Sequence, residues 1–397
     1  MTETLYKEAS PERFSVTFHI TVYDGNNIAE LASDIALEQS VEIPADCVPA
    51  EIIEQGIVGQ IETVEKLPAV QNQYRVFISY RCDSTAYSIP QFLNLLYGNI
   101  SIKRGIKITD LALPERLLKA FGGPGYGIEG IRSLTGVYNR PLASTALKPV
   151  GLSSSQLARL ASDYARGGLD IIKEDHNMSD VVYHPFAERV ARIQEAITET
   201  NTRTGGNTLY FPMVNGGFDI IEKQFALVKS LGIKGVLMAP MLVGPDTVRT
   251  LARRYDLAIM AHPAFTGTHF HDRSHGITPA VLLGTIFRLA GADISIFPNN
   301  GGRFGFTRQE CQDLAEALRK PLGEIKPAFP CPAGGMKLDR IGELAEAYGE
   351  DCVLLIGGGL MQYDSDQARS AAAFMESIRK CFNEKRAPVE VASSSND

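Results

Sequence analysis

From residue 141 onward, short apolar runs alternate with amphipathic segments in a regular order. The runs are rich in apolar and β-branched residues and lie near residues 141–148, 169–175, 208–214, 235–240, 257–262, 292–298, 327–334 and 352–359. Segments with apolar residues at helical spacing lie between them, for example at residues 153–166, 218–231, 278–289 and 308–318. Eight strands alternating with helices over roughly 240 residues predict a (β/α)8 barrel, a TIM barrel. A doubly wound open sheet is less favoured, because it usually has fewer strands and no GxGxxG follows the first predicted strand.

The helix predicted over residues 153–166 carries sequence signals at both ends. Ser153, Ser154 and Ser155 offer a side-chain oxygen for the N-cap. Gly167 is predicted to close the helix as its C′ residue, the position where a left-handed backbone favours glycine.

The first 130 residues mix the two periodicities. Residues 13–22 alternate and are β-branched, which predicts a strand, and residues 74–80 predict another. Residues 27–39 and 89–96 have helical spacing, with proline tolerated in the first turn of the second helix. We therefore predict an α+β, ferredoxin-like domain over residues 1–130 and a catalytic barrel domain over 131–397, joined by the glycine-rich segment 121–127.

Composition narrows the functional class. The 397 residues are 44% hydrophobic and 21% charged with a net charge of −7, which argues against a nucleic-acid groove. The sequence has no run of about 18 apolar residues, so it predicts no membrane span, and its start lacks the basic-then-apolar pattern of a signal peptide. Six scattered cysteines without a CxxC pair fit a reducing compartment. We expect a cytoplasmic enzyme with no nucleic-acid or membrane partner.

Polar groups and glycines stand at the carboxyl ends of the predicted strands, where barrels place their active sites. The polar ends are Lys148, Lys173 with Asp175 and His176, Asn215, His262 and Arg303. The last two strands run into Gly334 and Gly335, and into Gly357, Gly358 and Gly359. Backbone N–H groups can approach a phosphate closely only where no side chain intervenes, so these loops predict a phosphate site.

Several of these side chains suggest specific chemistry, and each has a structural alternative. Lys173, Asp175 and His176 offer three ligands within four positions, but a buried Lys–Asp ion pair is the alternative. A buried Lys148 would have its pKa lowered by desolvation, as a general base requires, whereas a lysine that reaches solvent would not. Cys331, between two prolines, is explained more simply as a small buried residue than as a nucleophile.

The stretch from Gly167 to Asp175 resembles the carbamylated-lysine strand of the ribulose-bisphosphate carboxylase large subunit, and nearly the whole chain resembles its RuBisCO-like proteins. The resemblance implies that Lys173 takes up CO2 as a carbamate and binds one Mg2+ beside Asp175. His176 stands where the family usually has a glutamate ligand, so Mn2+ is an alternative metal, or His176 is an acid/base instead of a ligand. Lys148 matches the first-strand lysine, an acid/base in the carboxylase.

The same resemblance implies a shared active site. Asn99 and Glu38 match residues of the N-terminal domain that reach the barrel of the neighbouring subunit, so a homodimer or a dimer-based oligomer is implied. The remaining matches are Gly335, Gly358 and Gly359 for the phosphate site and His262 for the fifth-strand histidine.

Departures from the carboxylase pattern bear on the reaction. The second lysine of the first-strand motif is missing, Pro263 replaces an arginine that holds a second phosphate, and Ile296 replaces a histidine. Arg303 stands where a lysine orients CO2, and arginine is a bulkier, forked cation. Each oriented charged contact contributes about 2 to 4 kcal/mol to transition-state stabilisation, so carboxylation of a bisphosphate is not expected.

One phosphate site, one metal and one lysine remain, which are the parts needed to form an enolate. The favoured hypothesis is a decarboxylase of a phosphorylated 3-oxo sugar acid, as in RuBisCO-like proteins that process 3-oxo-isoapionate 4-phosphate. A second hypothesis is an isomerase or enolase of a methylthioribulose phosphate in methionine salvage, with Lys148 abstracting a proton. A third is a non-catalytic binding protein, suggested by the altered ligand His176. Since both enzymes need the same enolate-stabilising groups, the sequence does not separate them.

Overall fold

The computed structural model describes residues 12–23 and 25–383, so residues 1–8, considered above for a targeting signal, lie outside it. Its strands are β1 (Arg13–Thr21), β2 (Gln60–Lys66), β3 (Gln73–Arg81), β4 (Ile106–Ala112), β5 (Leu142–Leu147), β6 (Ile171–Glu174), β7 (Leu209–Phe211), β8 (Gly235–Met238), β9 (Ala258–Ala261), β10 (Gly276–Ile277), β11 (Ile294–Pro298), β12 (Phe329–Ala333) and β13 (Val353–Leu355). Its α-helices are α1 (Ile28–Glu38), α2 (Ala50–Glu54), α3 (Ile89–Tyr97), α4 (Glu115–Phe121), α5 (Gly127–Thr135), α6 (Ser154–Arg166), α7 (Phe186–Thr204), α8 (Phe218–Ser230), α9 (Pro240–Val243), α10 (Pro245–Tyr255), α11 (Phe287–Leu289), α12 (Arg308–Arg319), α13 (Ile341–Tyr348), α14 (Gly358–Met361) and α15 (Gln367–Asn383). No helix in these ranges is long and apolar enough to cross a membrane.

Contacts group the chain into two compact units. The first comprises residues up to Gly127 together with Met238–Ser295 and Asp313–Ala328. The second comprises Ile128–Leu237, Ile296–Gln312 and the residues from Phe329 onward. The predicted domain boundary after residue 130 stays a prediction.

The first unit contains a five-stranded sheet in the order β10-β4-β1-β3-β2. β1 pairs antiparallel with both β3 and β4, and every second residue from Phe14 to Ile20 is buried. The predicted strands and helices of this region are confirmed as β1, β3, α1 and α3, and the Asn27 side chain caps α1 by accepting from the N–H of Ala29. β2 escaped prediction because all of its residues are exposed, so it has no apolar face.

The second unit contains a parallel sheet in the order β13-β5-β6-β7. Every residue of these four strands is buried, as expected for a parallel sheet covered on both faces. The register pairs Ala146 with Lys173 and Leu147 with Glu174, so β5 and β6 end side by side. This register decides which side chains meet at the carboxyl end of the sheet.

The predicted alternation of strands and helices is confirmed along the chain. Each predicted apolar run contains one strand, namely β5 to β9 and β11 to β13, and the helices predicted at 153–166, 218–231 and 308–318 are α6, α8 and α12. The helix predicted at 278–289 is instead a π-helix, Ala280–Ile286, that continues into α11. Since nearly every residue there is buried, no polar face distinguishes one helical period from another.

The end of α6 corrects one prediction. Ser153 caps the helix in a capping box with Gln156, as its sequence indicates. Gly167, however, has a φ of −75°, and the left-handed residue is Gly168, with a φ of +88°. Gly167 is needed for packing, because a Cβ atom there would lie 2.3 Å from the Cβ of Ala371.

Candidate active site

The ends of β5 and β6 bring Lys148 and Asp175 into direct contact. The Lys148 ammonium donates to Asp175 Oδ2, while Asp175 Oδ1 accepts from the N–H of Asn177 at 3.0 Å. Burial alone would raise the pKa of Asp175, but the hydrogen bonds from Lys148 and Asn177 outweigh it and lower that pKa. Asp175 is therefore an anion at neutral pH.

Of the two alternatives that the sequence left open for Lys148, the structure has the one that reaches solvent. Its side chain is 36% exposed, against 4% for that of Asp175. Lys148 keeps this exposure because it follows the last residue of β5, beyond the buried strand. The Lys–Asp pair considered for Lys173 exists, but its cation is Lys148.

Lys173 is the desolvated lysine of the site. Only 3% of the residue is exposed, and its ammonium donates to the backbone oxygen of Glu174 at 3.0 Å. Burial lowers the pKa of Lys173 to about 8, although the nearby Asp175 carboxylate opposes the shift. A lysine of this kind has a substantial neutral fraction near pH 8, and the neutral amine is the form that reacts with CO2.

His176 lies at the mouth of the same cluster. Its Nδ1 atom is 3.4 Å from Asp175 Oδ1, and 34% of its side chain is exposed. Burial lowers the pKa of His176, and the positive charges of Lys173, Lys148 and Arg303 lower it further against the pull of Asp175. The imidazole is therefore neutral at physiological pH and able to accept a proton or a metal.

The segment that follows β11 brings Arg303 to this cluster. Arg303 is exposed, and its guanidinium lies 4.9 Å from the centre of the Phe304 ring. Its charge helps to lower the pKa of His176, so Arg303 lies within electrostatic range of the cluster at the ends of β5 and β6.

The glycine loop after β12 packs against the Arg303 segment. Gly334 and Gly335 have φ values of +85° and +92°, which favour glycine whatever the loop binds. A Cβ atom on Gly334 would lie 2.9 Å from the Phe304 ring, and one on Gly335 would lie 3.4 Å from Gly302. Backbone conformation and packing account for these two glycines, which weakens them as signs of phosphate binding.

The glycine loop after β13 contains one glycine that close packing requires and one that borders open space. A Cβ atom on Gly359 would lie 2.6 Å from the backbone oxygen of Met336, so close packing requires glycine there. A Cβ atom on Gly357 would lie 3.7 Å from Lys148 Cε, whereas one on Gly358 would meet nothing within 4 Å. Gly358 thus borders open space beside a loop that reaches Lys148, and it best fits the expected anion contact.

Two of the predicted residues form a pair in the first unit. The Asn99 side-chain amide donates to Glu38 Oε1 and to Glu42 Oε1, each at 3.0 Å. Lys103 adds a cation 3.7 Å from Glu38 Oε2. The structure brings Glu38 and Asn99 together on an exposed face, and their contribution to a neighbouring subunit stays a prediction.

His262 and Cys331 have ordinary surroundings. His262 follows β9, and its Nδ1 atom accepts from the N–H of Ala264 at 3.1 Å, so one ring nitrogen is used locally. Cys331 is completely buried, and burial raises the pKa of its thiol. The interpretation of Cys331 as a small buried residue is the one that this environment supports.

The side chains at the end of β6 could hold a divalent metal if Lys173 carries a carbamate. Among the described residues, no group of three or more His, Cys, Asp or Glu side chains is placed to hold a metal ion. Asp175 and His176 provide one oxygen and one nitrogen donor, and a carbamate on Lys173 would complete a set of three. Such a mixed set suits Mg2+ less well than an all-oxygen set and also accepts Mn2+.

Sequence reasoning passed over Glu174, although it lies within the motif. Its side chain is fully buried and meets Arg189 of α7, Tyr210 of β7 and the backbone of Met213. Because side chains alternate along a strand, Glu174 should point away from Lys173 and Asp175. That alternation was the sequence signal that could have identified it as a buried acid. Its partners lie 15 or more residues further along the chain, so no local pattern identifies them.

Comparison with known proteins extends this picture. Residues 127–397 match the family described as ribulose bisphosphate carboxylase large chain, catalytic domain. The chain is 39% identical to ribulose bisphosphate carboxylase-like protein 1 of Rhodopseudomonas palustris, over 92% of this chain and 98% of that protein. It is 38% identical to the 5-methylthioribulose-1-phosphate isomerase of Rhodospirillum rubrum, over 92% of this chain and 96% of that enzyme.

A solved structure agrees with these sequence matches. The crystal structure of the RuBisCO-like protein from Rhodopseudomonas palustris has a TM-score of 0.84 and 39% identity, covering 94% of this chain and 99% of that one. The predicted fold class, an α+β domain followed by a (β/α)8 barrel, is confirmed by this likeness. The comparisons favour the isomerase or enolase alternative over the decarboxylase that the sequence alone had favoured. The chain belongs to the ribulose bisphosphate carboxylase large-chain family, among its RuBisCO-like proteins.

Proposed function

We propose that the chain is an isomerase that forms and reprotonates the enolate of a methylthio-substituted pentulose monophosphate. The observation that carries the proposal is the cluster at the ends of β5 and β6. There, a partly exposed Lys148 donates to the Asp175 carboxylate, and the buried Lys173 lies two residues before Asp175. Identity of 38% to a 5-methylthioribulose-1-phosphate isomerase supports this substrate class.

Lys148 and His176 are the groups able to move a proton at the substrate. Lys148 is accessible, and its ammonium form is stabilised by Asp175. Because Lys148 reaches solvent at the end of β5, its amino group is placed to take the proton from the carbon next to the ketone. The neutral imidazole of His176 can receive or return a proton on the same side of the site.

Lys173, Asp175 and His176 would hold the metal, in keeping with a family that uses Mg2+ and a carbamylated lysine. The neutral amine of Lys173 forms an N–C bond to CO2 and releases one proton to solvent, which leaves a carbamate anion. When bound, Mg2+ supplies a Lewis acid that polarises the ketone oxygen and stabilises enolate charge. The same buried position lowers the pKa of Lys173 to about 8, so more of its amine is in the neutral form that reacts with CO2.

We propose that the substrate phosphate binds at Gly358, with Gly335 and Gly359 shaping the loops, and that the exposed Arg303 adds a cation on the substrate side of the site. Pro263 and Ile296 remove two charged or polar groups that a second phosphate would need, which favours a monophosphate. Glu38 and Asn99 would complete the site from a second subunit, so we propose a homodimer or a dimer-based oligomer in the cytoplasm.

Proton NMR in D2O tests the reaction directly. The wild-type protein with Mg2+ and bicarbonate should convert 5-methylthioribulose 1-phosphate and place deuterium on the carbon that is reprotonated. Lys148→Met and Lys173→Met should abolish turnover, while Lys66→Met on the exposed strand β2 should leave it unchanged. Release of CO2 from 3-oxo-isoapionate 4-phosphate, without turnover of the methylthio sugar, would instead make the protein a decarboxylase. Inactivity with both compounds would favour a binding protein.

A further inference from the structure

The carboxylate of Glu174 is fully bonded within the protein interior. Arg189 Nε and the Tyr210 hydroxyl each donate to Oε1 at 2.6 Å. The Met213 N–H donates to Oε2 at 2.8 Å, and Arg189 Nη2 does so at 3.2 Å. Glu174 and Arg189 are both 0% exposed, so these bonds are shielded from water. They hold the side chain of Glu174, the residue between Lys173 and Asp175, in one orientation.

Arg189 also holds the loop that leaves β6. Its Nη1 atom donates to the backbone oxygens of Ser179 and His184, at 2.9 and 2.6 Å. Both carbonyls belong to the loop that begins with Asp175 and ends where α7 starts. A single planar guanidinium therefore binds the strand end on one edge and the loop on another, which lysine cannot reproduce.

The same loop contacts the segment that follows Lys148. His184 is fully buried, and its Nδ1–H donates to the backbone oxygen of Leu152 at 3.2 Å. Leu152 lies four residues after Lys148 in the connection from β5 to α6. Contacts thus run from Glu174 through Arg189 and His184 to the connection that carries Lys148.

We propose that Glu174, Arg189 and Tyr210 form a brace that positions Lys173, Asp175 and Lys148 for metal binding and proton transfer. A buried ion pair is weak support for stability alone, because apolar residues of similar volume often serve as well. Orientation explains the arrangement better, because every bond ends on β6 or on its following loop. The catalytic part of this inference rests on the proposed function, and the metal-binding part does not.

Arg189→Lys and Tyr210→Phe test the brace in the full-length protein. Mn2+ affinity is measured by electron paramagnetic resonance in bicarbonate buffer, and kcat and KM are measured with 5-methylthioribulose 1-phosphate. Loss of residues that orient metal ligands typically lowers metal affinity or activity about 10- to 100-fold, and we expect that range for Mn2+ affinity and kcat. KM should not change, because the brace does not contact the glycine loops. Tyr210→Phe removes only one hydroxyl and keeps the test valid if Arg189→Lys does not fold.

Arg288→Lys is the matched control. Arg288 is a fully buried arginine that donates to the backbone oxygens of Ala317, Lys320, Ile325 and Lys326. Its loss should lower the melting temperature without changing Mn2+ affinity or kcat. The brace would be overturned by unchanged Mn2+ affinity in folded Arg189→Lys and Tyr210→Phe. It would also be overturned by an equal loss in Arg288→Lys, or by a wild-type protein that binds no Mn2+. If wild type binds Mn2+ but does not turn over the sugar, the proposed function fails while the affinities still decide this inference.

Discussion

Asp293 provides a test of how burial and hydrogen bonding compete in this fold. Its Oδ1 atom accepts from the N–H groups of Tyr126 and Gly127, each at 2.7 Å, and Oδ2 accepts from the N–H of Ile259 at 2.8 Å. It therefore ties the end of the glycine-rich segment to β9, and the residue is only 1% exposed. Three donors favour the ionised carboxylate, whereas removal from water disfavours it. Asp293→Asn keeps the shape of the side chain and cannot ionise, so it isolates this contribution.

The effect of burial exceeds that of the hydrogen bonds and raises the pKa of Asp293 from 3.8 to about 6. Because the folded chain holds the proton more tightly than the unfolded chain, Asp293 stabilises the fold fully below about pH 4. That contribution is lost as the pH rises through 6. The difference of about 2 between the two pKa values corresponds to about 3 kcal/mol, of which about 2 kcal/mol disappears between pH 4.5 and 7.5.

Urea unfolding of wild type and Asp293→Asn at several pH values from 4.5 to 7.5 measures this contribution. The free energy of unfolding of the variant, relative to wild type, should increase by about 2 kcal/mol across that range. Asp246→Asn, a half-buried acid on α10, controls for the general loss of a carboxylate. A difference that is constant with pH would show that the three N–H donors balance burial, and a difference that falls as the pH rises would show that they outweigh it.

Other substitutions test the candidate site. Gly358→Ala should fold normally and raise KM for the phosphorylated substrate about tenfold, or about 1.4 kcal/mol, since its Cβ would enter open space beside the site. Gly359→Ala should instead lower the melting temperature, because its Cβ would lie 2.6 Å from a backbone oxygen; the opposite pattern would contradict this assignment. Cys331→Ala should leave kcat unchanged and lower the free energy of unfolding by roughly 1 kcal/mol, and inactivity of the folded variant would make the thiol a catalytic group. Arg303→Met should lower kcat/KM about 100-fold if the guanidinium stabilises developing charge, and steady-state kinetics would expose a smaller role.

Sequence periodicity predicted elements where burial is one-sided or where apolar runs have clear ends. The barrel strands are apolar runs with clear ends, and β1 is buried on one side only, since its alternate residues are buried. β2 has no buried face, and the π-helix has no exposed one, so neither carries a periodic signal. The left-handed residue after α6 could not be assigned to Gly167 or Gly168 from sequence, because the choice depends on how closely α15 approaches Gly167.

The candidate site shows the same limit at the level of single side chains. Sequence placed Lys148, Lys173, Asp175 and His176 at strand ends but left open which of the two lysines is buried. That assignment depends on the register of β5 against β6, which places Lys148 beyond the paired residues and beside Asp175. The two lysines then differ in the property that matters for chemistry, because Lys173 loses its hydration while Lys148 keeps part of it and gains a carboxylate. A buried amine is suited to carry a carbamate, and an accessible amine is suited to exchange protons with a substrate. This difference supports an enolate-forming reaction more strongly than the glycine loops do, because backbone conformation and packing alone account for Gly334, Gly335 and Gly359.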